Sequence, residues 1–517
     1  MSDKQFGRIL LGVFLVSLVS APALQAGGTQ VTLDDAVWDF AQDQLEVYVG
    51  ESANATGDFN NDGYADVVIG SRFYNSGQYR SGRVWVFYGS ENGPSTTPDL
   101  TINPPQVAMN GFFGEAVATL NVDGDEYDDL LIGMPNYDVN ANWDEGAVFL
   151  YYGSSSGLDG SYDWKVTGNA LYAHTGIDAA PAGDIDDDGY DDIIIGAMRY
   201  DSCNGTMPII NHAYVYMGSD SLLGDTTVAT ADWYAMGDQC NPSAPIPRDA
   251  GFGMNVGFAG DVNGDGYDDI FVGAPRYDSG QVDEGKLFVW HGSATGLGDT
   301  GSPSNADWTA ESDQANAYLA TASQTSVSSG DLNDDGYGDL VVGSRHYDYL
   351  ANLDGVVAAW YGSGTGLGDN GTPSNADWLA YGAAEGDQLG ANLTVLDYNG
   401  DDLDDLLVGA IGHTVGLEVG AGMAVLWLGS GDGLSFDGSS SYADWVVEGD
   451  QAASYLGWSQ SAGDTDGDGY EDPLIVAPYY DLVNKDAGKV WTFPGEPVIF
   501  SENFESGDTL RLDQQVP

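Results

Sequence analysis

Asp261-Val262-Asn263-Gly264-Asp265-Gly266-Tyr267-Asp268-Asp269, followed at once by the apolar run Ile270-Phe271-Val272, is one of seven copies of an acidic nine-residue loop. The seven copies begin at Asp58, Asn121, Asp184, Asp261, Asp331, Asp397 and Asp464, at steps of 63, 63, 77, 70, 66 and 67 residues. A period of this length, sustained along 517 residues, marks one large repeat array rather than several unrelated domains.

Each loop reads as a cation site. Oxygen side chains at positions 1, 3, 5 and 9, with the backbone carbonyl of position 7, form the donor set that wraps calcium, a hard ion taking about six to eight oxygens. The full pattern stands at Asp58, Asn60, Asp62, Tyr64 and Asp66; at Asp184, Asp186, Asp188, Tyr190 and Asp192; at Asp261, Asn263, Asp265, Tyr267 and Asp269; at Asp331, Asn333, Asp335, Tyr337 and Asp339; and at Asp464, Asp466, Asp468, Tyr470 and Asp472. Two copies depart from it. Asn121, Asp123, Asp125 and Asp129 surround Glu126 where the turn calls for Gly, and Asp397, Asn399, Asp401 and Asp405 surround Asp402. Asp accepts a left-handed backbone more readily than Glu, which ranks the sixth loop above the second. Five calcium sites and two weaker ones are expected. An EF-hand would carry Glu at position 12 between two helices. Here position 12 is Ile69, Val272 or Val342, so the loop joins strands.

Around the fourth loop the chain runs from Gly251 to Gly260, through the loop, along Asp269 to Pro275, across a polar turn, and along Gly285 to Gly292; Asp307-Trp308 then opens a further short strand. Short β-rich pieces bounded by Gly, Pro, Asp and Ser are strands joined by turns. Four strands per repeat and seven repeats predict an all-β, seven-bladed propeller of four-stranded antiparallel blades. Trp followed by Asp-Gln recurs at Trp233, Trp308 and Trp445, and also at Trp38, ahead of the first loop. No such segment follows Trp491. The stretch Val37 to Phe40 is therefore predicted to supply the outer strand of the last blade and close the ring.

The formal charge of −66, from 80 acidic and 14 basic residues, sets aside nucleic acid and anionic membrane surfaces as partners. Lys4, Arg8, the apolar stretch Ile9 to Val19 and then Ala21 to Ala26 read as a cleavable secretory signal over 1–26. No later segment approaches the roughly 20 apolar residues of a membrane span. A secreted or extracytoplasmic protein is expected, with a monomeric propeller over 27–494 and a short acidic tail over 495–517.

Phe252-Gly253 and Gly273-Ala274-Pro275 flanking an acidic loop resemble FG-GAP repeats, the blades of the integrin α-subunit N-terminal propeller and of many secreted bacterial proteins. Several copies drift, to Leu456-Gly457, Leu319-Ala320 and Gly343-Ser344-Arg345. The resemblance implies the propeller and its calcium, and an adhesion or binding role toward an extracellular protein or glycan.

Up-and-down strand order places all acidic loops on one face, and the second-to-third turns and fourth-to-first connections on the other. Cys203 and Cys240 both fall on that second face, where a disulfide between them is expected in an oxidising compartment. The same face carries a repeated Tyr-Asp at Tyr137, Tyr200, Tyr277, Tyr347 and Tyr480, accompanied by Arg72, Arg199, Arg276 and Arg345. Arg and aromatic side chains favour binding surfaces, which makes Arg72, Arg199, Arg276, Arg345, Tyr200, Tyr277 and Tyr347 candidate ligand contacts; packing between blades is the competing reading. The tryptophans Trp164, Trp233, Trp308, Trp378 and Trp445 share one repeat position, the mark of packing. No nucleophile or zinc motif stands out. The trio Arg345, His346 and Tyr347 leaves open a lyase acting on an acidic polysaccharide, and a purely structural surface protein is a further alternative.

Overall fold

The apolar run after each acidic loop becomes the second strand of a blade: Asp66–Ser71, Asp129–Met134, Asp192–Met198, Asp269–Ala274, Asp339–Ser344, Asp405–Ala410 and Asp472–Ala477, every residue of which is buried. These strands, covered on both faces, need no polar alternation and read as continuous Val, Ile and Leu. The structure is a computed structural model describing residues 28–139, 143–198, 211–220, 224–241, 248–321, 326–435 and 438–496. The stretch over 1–26 expected to be a secretory signal lies outside the described residues, as do Arg199, Tyr200, Cys203 and the residues beyond 496.

Seven antiparallel four-stranded sheets follow one another, the first built from Ser52–Gly57, Asp66–Ser71, Arg83–Phe87 and Leu100–Ile102. They form the predicted seven-bladed propeller. Its apolar residues fall into seven clusters, one at each junction between neighbouring blades. The outer-strand tryptophans are buried at those junctions. Trp233, Trp308 and Trp378 meet Trp290, Trp360 and Trp427 of the next blade edge-on, at 5.6, 5.4 and 5.3 Å between ring centroids. Their indole N–H groups donate to the carbonyls of Asp299, Asp369 and Ser435 in that next blade, at 2.8, 3.1 and 3.2 Å.

Trp38–Ala41 pairs antiparallel with Lys489–Thr492 and completes the seventh blade, as the Trp38 segment predicts. Trp38 then donates to the Ser95 carbonyl of the first blade at 2.9 Å, so the junction that joins the two ends of the chain uses the same contact as those of Trp233, Trp308 and Trp378. One pairing was not legible in the sequence: Thr29–Val31 lies parallel to Trp445–Glu448 on the edge of the sixth blade. Thr226–Thr227 and Gly438–Ser439 do the same on the second and fifth blades. Chain entering an outer strand thus covers the backbone groups that the preceding blade would leave unpaired.

The Gln of the Asp-Gln motif, and in the first blade Gln106 after Pro105, clasps the Tyr-Asp turn of the next blade. Gln106, Gln239 and Gln314 each donate Nε2 to the carbonyl, and accept the N–H, of Asp138, Asp278 and Asp348 in the next blade, at 2.7–3.2 Å. Gln451 does the same to Asp481. Between the fifth and sixth blades the clasp is replaced by His413, whose Nδ1 lies 3.0 Å from Asp387 and whose Nε2 lies 3.6 Å from Glu448. Burial alone would lower the imidazole pKa, but these two carboxylates outweigh it and lift it to about 9. A folded pKa above the ordinary value of 6.5 contributes stability that is present below pH 6.5 and lost as pH rises through about 9. The contribution is at most about 3 kcal/mol. Urea unfolding at pH 6 and pH 9.5 is expected to show this loss in the native protein and a flatter profile in His413→Gln; parallel profiles would remove His413 as the titrating group.

Candidate metal centres and the opposite face

Every acidic loop bridges the first and second strands of its blade, and in six of the seven its first residue closes it. The N–H groups of Asp62 and Gly63 donate to the two carboxylate oxygens of Asp58, at 3.1 and 2.8 Å. Asp184, Asp261, Asp331, Asp397 and Asp464 accept the equivalent pair. The sharp turn this requires puts Gly63 at φ 88°, a left-handed backbone that glycine adopts without strain. In the sixth loop Asp402 takes that conformation at φ 63° and keeps its bond to Asp397 at 3.0 Å. The second loop breaks the pattern. Asn121 turns its amide to donate to the Asp125 carbonyl at 2.7 Å, as a neutral side chain with one acceptor oxygen cannot close the loop twice over.

The donor set fits a divalent cation. In the third and seventh loops, Asp184, Asp186 and Asp188, and likewise Asp464, Asp466 and Asp468, bring one oxygen each within 4.8 Å of one another. Asn60 Oδ1 and Asp186 Oδ1, both at position 3, are buried acceptors with no hydrogen-bond partner. Position 9 plays a double part. Asp66 accepts from the N–H of Phe59 at 2.9 Å and of Gly89 at 2.9 Å, fixing the loop to the end of the third strand, and each oxygen retains a second lone pair. Burial pushes the carboxyls of Asp66, Asp129, Asp269 and Asp405 up to about 8. A cation at the loop would supply the opposite charge that keeps such groups ionised.

A further acid, at position 8, is absent from the expected ligand set and ties the loops to one another. Asp128, Asp191, Asp268, Asp404 and Glu471 each accept the N–H of the first residue of the preceding loop: Asp58, Asn121, Asp184, Asp331 and Asp397, at 2.6–2.9 Å. Position 8 is acidic in five of the seven copies, which was the available signal. The backbone N–H groups of Asp128, Asp191, Asp268 and Glu471 also donate to the carbonyl of that first residue, and in the two copies without an acid this bond remains, from Gly338 and Ala65 to Asp261 and Asp464 at 2.9 and 2.8 Å. Gly338 lies so close to the fourth blade that a Cβ would sit 2.9 Å from Gly260 Cα.

On the opposite face the arginines divide. Arg72 and Arg345 stand six residues after the last loop aspartate, whereas Arg276 stands seven after it, so successive registers send them in different directions. Arg72 donates from Nε to Glu51 at 2.8 Å and from Nη1 to Glu115. Arg276 is half-buried, with Nη1 4.0 Å from Met254 Sδ. The Tyr-Asp rings pack edge-on against their own third strands: Tyr137 on Phe149 at 5.6 Å, Tyr277 on Phe288 at 5.3 Å and Tyr480 on Trp491 at 5.3 Å. Tyr347 instead lies 6.4 Å from Tyr349. Cys240 begins a short hairpin, Cys240–Asn241 with Arg248–Asp249. Its expected partner, Cys203, is outside the described residues, so the disulfide stays an expectation.

The FG-GAP repeat family matches residues 52–87, 252–290 and 456–493, within the first, fourth and seventh blades. Phosphatidylinositol-glycan-specific phospholipase D of Mus musculus is 34% identical over 172 residues, 33% of this chain and 20% of that protein. Integrin alpha-4 of Xenopus laevis is 28% identical over 235 residues, 45% of this chain and 20% of that protein. Integrin alpha-PS2 of Drosophila melanogaster is 32% identical over 243 residues, 46% and 16% respectively. The chain thus spans a fifth or less of the length of these relatives.

Removing one acid of the position 8 belt should be felt across a blade junction. Asp268→Ala strands the Asp184 N–H and is expected to cost about 1–3 kcal/mol in urea denaturation. An unchanged midpoint would show that the belt does not hold the junction.

Proposed function

We propose that this chain, a propeller built of FG-GAP repeats, is a calcium-stabilised, exported binding module that engages an extracellular protein or glycan through the face opposite its acidic loops. The observation that carries the reading is a segregation. Leu45, Met109, Trp143, Leu350, Leu417 and Val483, exposed by 54, 67, 64, 72, 90 and 92%, all project from second-to-third turns or fourth-to-first connections. Among the described residues no large exposed apolar side chain lies in an acidic loop, and Val37 and Tyr442, exposed at third-to-fourth connections, are the two that stand on that side of the ring. An apolar crown on so acidic a chain is what a recognition surface needs and what solubility alone would remove. The integrin relatives share this part of their length with the chain, and the Lys4 to Ala26 stretch supports export. Among the described residues no helix is long and apolar enough to cross a membrane.

The lyase reading finds less support. Burial, helped by Arg345, pushes His346 down to about 4, and burial raises the Tyr347 phenol. Neither is a base poised near neutral pH. The phospholipase relative matches this chain over 20% of its own length, and that likeness assigns no activity to the shared part.

At about 1 mM calcium, site constants of about 0.1–1 mM give roughly 0.4–1.4 kcal/mol per loop by mass action. Five loops supply roughly 2–7 kcal/mol, a large share of ordinary stability. Excess chelator is expected to lower the melting temperature substantially and calcium to restore it; an unchanged melt sinks the calcium assignment. A screen of glycans and matrix proteins is expected to find saturable binding that Leu417→Asp with Val483→Asp abolishes at unchanged melting temperature. Binding indifferent to those changes would remove the crown from the function.

A further inference from the structure

Arg72 and Arg345 occupy the same repeat position but opposite electrostatic situations. Arg72 is held between Glu51 and Glu115, the residues that follow the FG-type glycine at the start of the first and second blades. In the fifth and sixth blades the corresponding residues are Thr321 and Ala391. Arg345 has thus kept its place and lost both carboxylates. Its guanidinium instead reaches across to the seventh blade, where it lies 5.5 Å from the ring centroid of Trp458. Its Nε is buried with no hydrogen-bond partner, and no described carboxylate pairs with it. Burial lowers its pKa, opposed by the Tyr479 phenol. In a chain with 80 acids and 14 bases, a largely sequestered cation without a counter-charge is anomalous.

The place of this cation defines what can reach it. Trp458 opens the inner strand of its blade on the face opposite the acidic loops, and Ser459 and Gln460 after it line the central cavity of about 330 Å³ that the inner strands enclose. Gln460 is buried there with both amide atoms unpartnered. Half-buried rings pack beside Trp458: Tyr479 lies 5.6 Å from it and 5.3 Å from Tyr455. We propose that Arg345, Trp458 and Gln460 form a site for a single carboxylate carried on a flat apolar body, entering the central channel from the face opposite the acidic loops. A planar carboxylate matches the guanidinium fork in two hydrogen bonds. The amide of Gln460 offers the donor a carboxylate accepts, and the rings cover the apolar remainder. Polyanions are excluded by the chain's own −66 charge, which opposes each added negative charge on a ligand.

This deepens the reading of that face as the binding face, and its test is independent of any macromolecular partner. Calorimetric titration of the full chain in calcium with phenylacetate is expected to show saturable one-to-one binding, with inorganic sulfate at least about tenfold weaker. Arg345→Met should weaken phenylacetate at least about tenfold. Thr321→Glu, which returns to Arg345 the internal counter-charge that Glu51 gives Arg72, should abolish binding with an equal or higher melting temperature, separating loss of the site from loss of the fold. No saturable heat up to about 10 mM phenylacetate, native affinity in Arg345→Met, or equal affinity for sulfate would each overturn the proposal. Phenylacetate binding alongside a failed glycan and protein screen would remove the macromolecular reading and leave this site standing.

Discussion

No blade of this protein owns a core. Each sheet is four short strands thick, and its two apolar faces are buried only against the sheets on either side, so the seven clusters sit at junctions rather than within blades. A ring is the arrangement in which every face of such a stack finds a partner. Burial of this kind makes closure a condition of stability for all seven units at once, because an open array would expose a face at each end. The antiparallel pairing of Trp38–Ala41 with Lys489–Thr492 is therefore as much a part of the core as any buried Leu.

Around that constraint the junctions are secured in layers. On the acidic-loop side, position 8 carboxylates take the first N–H of the neighbouring loop. In the middle, Trp38, Trp233, Trp308 and Trp378 each meet the third strand of the next blade and donate to its linker. On the far side, Gln amides read the backbone of the next turn, or His413 bridges Asp387 and Glu448. All three layers join blade to blade, which is why motifs that look like isolated signatures along the chain keep appearing in pairs across a junction.

The acidic loops concentrate the recognisable chemistry, yet their hydrogen bonds face inward, to their own turns and to their neighbours. They brace the ring. The opposite face is where the repeats differ: apolar side chains project from its turns, and one of its two equivalent arginines has lost its carboxylates. Variation among copies of a repeat, rather than what they share, distinguishes a surface for recognition from one for assembly.

Much of this was legible in the residues. The period and the alternating strands specified seven four-stranded blades, the Trp38 segment specified how the ring closes, and the acids at positions 1, 3 and 5 specified the carboxylate clusters of the third and seventh loops. The different closure of the second loop was also legible, because Asn121 lacks the second acceptor oxygen with which the other first residues hold their turns, a difference that acts within nine residues. What sequence could not decide depends on residues far apart in the chain. The parallel edge strand Thr29–Val31, the pairing of Gln106 with Asp138 and of Asp128 with Asp58, and the different fates of Arg72 and Arg345 are all set by which blade lies next door. Local chemistry fixes a turn or a strand because its partners are a few bonds away. A side chain's charge partner or its lack of one is fixed only when the ring has closed and its neighbours are in place.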